Sequence, residues 1–344
     1  MKTLYQEEKT KAFSAWHCFA QSQTKDTQRI LLLANAYWQK LHLDKAQIES
    51  LANLLKGEAT KLPFQNKENR TILNICLAPT IGQDNVYNKI LAIAISMVMA
   101  NLKVPIVLKG DRGYGFEIGL SDIIAELSLS IRQSADQMTE DLDNFNFTYI
   151  HLPQLYTSLQ DWNIVREDFG QKSIIDQVLP ILPVLENGDN IYNLVACADL
   201  QQTRFYAQFL NFEKGHGAKT ALLHDNSNTA FLSLCSDFYW QTSSDIEVMY
   251  LKDWHLPQLE NNCLQQAEKI ENAAQAAQIV KQLLKGEKGQ DWQTILLVNV
   301  AFLLQTISPK GDIMRALFDA EAALESQRAY QLLEMLEAKN KKDI

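Results

Sequence analysis

The chain has 344 residues, 47% apolar and 21% charged, which suits a soluble globular protein with one large core or two domains. A net charge of −9 and a pI near 5.3 make the average surface repel nucleic acid and anionic lipid. The longest apolar candidate, Ile90 to Met99, is too short for a membrane span and predicts a buried helix.

The opening MKTLYQEEKTK lacks an apolar core segment, so no signal peptide is expected. Residues 1 to about 65 carry helical periodicity. Ile30, Leu31, Ala34, Tyr37, Trp38 and Leu41 form one apolar face, and Asp44 with Gln47 resembles a helix cap. Gly57 and Pro63 end the segment, and PFQNKENR is polar enough to be a linker.

From Thr71 the pattern changes to short apolar runs: TILNICLAP, VPIVLKG, FTYIHLP, NLVACAD, KTALLHD and IEVMYL. Helical stretches such as Tyr87 to Asn101 and Leu200 to Phe212 separate many of them. The alternation predicts an α/β fold, a mostly parallel sheet covered by helices on both faces. Ligands bind beyond the carboxyl ends of such strands, so the loops after Leu77, Lys109, Leu152 and His224 are the places for a site. The second of these, KGDRGYGFEIG, is rich in glycine and charge and leads into a helix.

From about Gln265 the chain is helical again. ENAAQAAQIVKQLL is strongly helix-forming, KGEKGQD breaks it at Gly286 and Gly289, and WQTILLVNVAFLLQTI is apolar almost all round. MRALFDAEAALESQRAYQLLEMLE closes the domain, and KNKKD is a short charged tail. The five cysteines, Cys18, Cys76, Cys197, Cys235 and Cys263, are widely spaced and contain no CxxC. They predict neither a disulfide framework nor a zinc site, and buried thiols in a reducing, cytoplasmic setting are the expectation.

The C-terminal order ENAA, LLKGEKG, an apolar helix with Asn299, then AEAALESQRAYQLLEML resembles anthranilate phosphoribosyltransferases and their TrpD-like relatives. VPIVLKGDRG, NIVREDFGQKSIIDQVLPIL and CADLQQTRFYAQFLNFEKGHGAKTALLHD agree in order, so the likeness spans about 70 to 337. The resemblance implies a nucleoside phosphorylase/phosphoribosyltransferase-like architecture. It has a small helical domain (1–67, completed by about 155–185) and a larger α/β domain (70–154 and 186–344). It also implies a hinge cleft as active site and a homodimer paired through the helical domains.

The family reaction moves phosphoribose from phosphoribosyl pyrophosphate to anthranilate, with magnesium neutralising the leaving pyrophosphate. Such chemistry needs backbone N–H groups and cations for phosphate and carboxylates for metal. Where the family has its first glycine loop, this chain has LAPTIGQDN, keeping Gly82 and Asp84, with Asn85 and Asn88 nearby. The loop is either a modified anion site or an ordinary strand-to-helix connection. Lys109 replaces the family's His, Gly110 and Arg112 are kept, and Asp111 replaces Asn. Lys109 and Arg112 either form an anion pocket or pair with Asp111 or Glu117.

Gly115 and Phe116 stand at the family's serine pair and Glu117 at its phosphate Lys. The Asp-Glu metal pair is absent, which leaves Asp225 as metal candidate or turn former. Magnesium is then expected only if phosphoribosyl pyrophosphate binds. Arg166 falls on the family's acceptor-carboxylate Arg, or pairs with Glu167 or Asp168. His151 and His224 end predicted strands, as base, acceptor contact or satisfied rim residues. Partners open to such a cleft are a small anionic ligand, or, against the net charge, nucleic acid, which members of the TrpD-like branch are proposed to bind.

Overall fold

The computed structural model describes residues 45–56, 70–79, 86–114, 117–156, 159, 174–185, 190–209, 219–225, 229–242, 246–254, 259, 269–308 and 312–341. The periodicity at Ile30 to Leu41, the cap residue Asp44, the polar linker up to Asn69, and Cys18 and Cys263 lie outside them.

Seven strands of the described residues form one sheet. They are β1 (Ile72–Leu77), β2 (Ile106–Gly110), β3 (Phe147–His151), β4 (Ile191–Cys197), β5 (Lys219–Asp225), β6 (Phe238–Gln241) and β7 (Ile246–Met249), in the order β3-β2-β1-β4-β5-β6-β7. The first five are parallel. Each is a near-continuous apolar run because helices cover both faces. The last two pair antiparallel at the edge. Every predicted apolar run supplies a strand. FYWQ, the source of β6, was not among the predicted strands. Its alternation of buried Phe238 and Trp240 covers only four residues, too few to register as a period.

The helices are α1 (Lys45–Lys56), α2 (Val86–Asn101), α3 (Leu120–Glu126), α4 (Ala135–Phe145), α5 (Leu152–Leu155), α6 (Ile174–Val178), α7 (Leu200–Ala207), α8 (Ala273–Leu284), α9 (Gln290–Ile307), α10 (Ile313–Glu325) and α11 (Arg328–Asn340). Strand residues alternate between two cores. Leu73, Ile75, Ile106, Leu108, Leu194 and Leu223 join α2, α8, α9, α10 and α11 on one face. Val107, Ile150, Val195 and Leu222 join α1, α4, α5 and the segment after α6 on the other.

Helix α2 is buried on nearly every side, as its composition predicts. Asn272 caps α8 by accepting from Gln275 N–H at 2.9 Å, and Gly286, with φ +73°, turns the chain beyond its end. The closing stretch forms two helices, parted at Gln327, whose φ is 54°. No helix of the described residues is long and apolar enough to cross a membrane.

The chain lays down β1, β2 and β3 outward in one direction, then returns to place β4 and β5 on the other side of β1. The carboxyl ends of β1 and β4 are therefore the switch point where an open α/β sheet leaves a crevice.

Candidate functional site

A cleft of about 100 Å³ opens at that switch point. Its lining comes from the end of β1 (Cys76 to Pro79), the end of β2 and its loop (Lys109 to Gly113, Glu117, Gly119), Leu152 after β3, Asp176 of α6, Ala198 after β4, and Asn88 and Lys89 of α2.

Lys109 is 2% exposed. Its ammonium donates to the carbonyls of Pro180 (3.0 Å) and Leu182 (2.7 Å), fastening the segment after α6 to the sheet. A buried ammonium demands such acceptors. Lys89 donates to the Ile118 carbonyl, and Arg112 Nη1 stands 3.9 Å from Asp122 Oδ1. Each cation on the described lining thus has a protein acceptor.

The glycine loop folds back on itself. A Cβ on Gly113 would sit 1.9 Å from the Glu117 carbonyl oxygen, and one on Gly119 would sit 2.0 Å from Gly113 N. Only glycine lets the two arms cross so closely. Asp122 Oδ2 accepts from both Gly113 N–H and Gly119 N–H, each at 2.8 Å. Asp111 accepts from Arg112 N–H at 2.7 Å and from the Tyr114 hydroxyl at 3.1 Å. Glu117 N–H donates to the Tyr114 carbonyl at 3.1 Å. The amides of Arg112, Gly113, Glu117 and Gly119, in a stretch that resembles a phosphate cradle in sequence, are answered by the chain's own carboxylates and carbonyl.

Asp111 Oδ1 also lies 3.6 Å from His151 Nδ1. That same nitrogen is 2.9 Å from Ser121 Oγ, which is 2.6 Å from the Tyr149 hydroxyl. Ser121, His151 and Asp111 therefore meet, but serine and aspartate both address one ring nitrogen. Ser121 is also fully buried, so this is a positioning network and not a nucleophile with its base. Cys76 is neutral for a related reason: burial pushes its thiol up, against the lowering effect of Lys109.

Residues 229–234, in the connection after β5, are buried. Asp225, 0% exposed, accepts from Ser233 N–H (2.9 Å), Ser233 Oγ (3.1 Å) and Ser236 Oγ (2.8 Å). Asn88 Oδ1 accepts from Ala230 N–H at 3.0 Å. Asn299 holds both the N–H and the carbonyl of Leu232, each at 2.9 Å. His224 Nδ1 faces the Cys197 carbonyl at 3.2 Å and its ring stacks on Tyr239. Burial lowers the His224 pKa, and the Cys197 carbonyl and Asp225 oppose that shift. No group of three or more His, Cys, Asp or Glu side chains is arranged to hold a metal among the described residues, and Asp225 spends its oxygens on serines. This donor set does not fit magnesium.

Of the residues singled out from sequence, Lys109, Gly110, Asp111, Arg112, Asn88 and Glu117 line one cleft. His151 contacts it through Asp111, and Asp225 stands at the neighbouring strand end. Gly82, Asp84, Asn85, Gly115, Phe116, Arg166, Glu167 and Asp168 lie outside the described residues. Sequence reasoning passed over Lys89, Asp122 and Asp176. Asp122 was findable as the capping residue three positions after Gly119.

The model of the glycosyl transferase family, a/b domain, matches residues 82–330. The chain belongs to that family. It is a divergent, anthranilate phosphoribosyltransferase-like member. It is 22% identical to the anthranilate phosphoribosyltransferase of Bacteroides thetaiotaomicron over 75% of this chain and 74% of that one. It is 24% identical to that of Prochlorococcus marinus over 73% and 71%. Among solved structures, the Saccharomyces cerevisiae enzyme in complex with PRPP and Mg superposes with a TM-score of 0.76 at 14% identity, covering 96% of this chain and 92% of that one. The Thermus thermophilus enzyme superposes with 0.72 at 14% identity, covering 97% and 95%. The fold is therefore that of these transferases.

Proposed function

We propose that this chain is a divergent anthranilate phosphoribosyltransferase-like protein that does not carry out the ordinary anthranilate reaction. Its cleft takes a small ligand of low charge instead of phosphoribosyl pyrophosphate with magnesium. The observation that carries this reading is the closed glycine loop: Asp111 and Asp122 already occupy the amides of Arg112, Gly113 and Gly119. The described lining also balances three cations (Lys89, Lys109, Arg112) against three carboxylates (Asp111, Glu117, Asp176). A diphosphate brought beside Glu117 meets repulsion. One unit pair at about 4 Å and an effective dielectric near 20 is worth roughly 4 kcal/mol, or about a thousandfold in affinity. Fold membership alone does not fix activity; the site does.

The test is calorimetric titration of the full chain with phosphoribosyl pyrophosphate and magnesium chloride, with anthranilate fluorescence followed in parallel. The expected result is no saturable heat below millimolar donor and no loss of anthranilate. Submillimolar, magnesium-dependent heat with turnover overturns the reading. Salt-sensitive binding of an oligonucleotide, with the donor silent, would move it toward nucleic acid.

A further inference from the structure

We draw no further inference here: the strongest candidate, the exposed apolar patch that Met314 and Phe318 form one turn apart on α10, is an unpartnered helix face, and nothing in the structure shows what covers it.

Discussion

Two loops at the carboxyl edge of the same sheet reach closure by different means. The loop after β2 lies at the surface and is stitched by the carboxylates of Asp111 and Asp122 onto backbone amides. Residues 229–234 of the loop after β5 are packed inside, with Phe231, Leu232 and Ser233 at 0% exposure, and polar side chains from α2, α9 and β5 answer their backbone. The first is closed by electrostatics that solvent can replace. The second is closed by burial, where no water can substitute for a lost partner. Among the described residues, the polar groups of each loop are answered by a different physical effect.

The largest expected effect lies in the buried loop. Asp225→Ala strands the Ser233 amide and two hydroxyls inside the protein, and should cost about 3–5 kcal/mol in chemical denaturation. Asp225→Asn keeps one acceptor and should cost less. Next comes Glu117→Lys at the cleft. Reversing one partly exposed charge should raise affinity for inorganic pyrophosphate at least about tenfold by calorimetry. It should move stability by no more than about 0.5 kcal/mol. Asp122→Ala follows. It removes both amide contacts on a surface loop, the one to Gly119 N–H being the capping contact of α3, with an expected loss of about 1 kcal/mol. If Asp122→Ala proves as costly as Asp225→Ala, the contrast between the loops collapses.

Much of the frame was legible in the sequence because parallel strands buried on both faces read as plain apolar runs, and each predicted run became a strand. The end of β2 was legible as the lip of a cleft because open parallel sheets leave their crevices beyond the carboxyl ends of the strands. Its closure was not. Lys109 looks like a cation offered to a ligand, but its acceptors, Pro180 and Leu182, are 71 and 73 residues away and reach it only through the tertiary fold. Asp176 arrives at the lining by the same route. Asp225 looked like a turn former or metal ligand. Its real partners, Ser233 and Ser236, sit within a stretch whose apolar neighbours gave no sign that the loop turns inward.

The smallest expected effect is a pH dependence that also belongs to the buried loop. His224 is 2% exposed, and burial holds its pKa below the ordinary 6.5. Above that value the ring is neutral in both folded and unfolded chains and contributes no pH dependence. As pH falls below 6.5, the unfolded chain takes up the proton while the folded one resists, so stability declines until the folded value is passed. One proton limits the slope to about 1.4 kcal/mol per pH unit. The Cys197 carbonyl and Asp225 favour the charged ring and moderate that decline. Denaturation midpoints at pH 7.5 and 5.5 should therefore separate more in the wild type than in His224→Phe, which keeps the stacked ring and cannot titrate. Equal separations in the two proteins would mean that the ring titrates alike in both states. The interior of this loop would then be wetter than its packing implies.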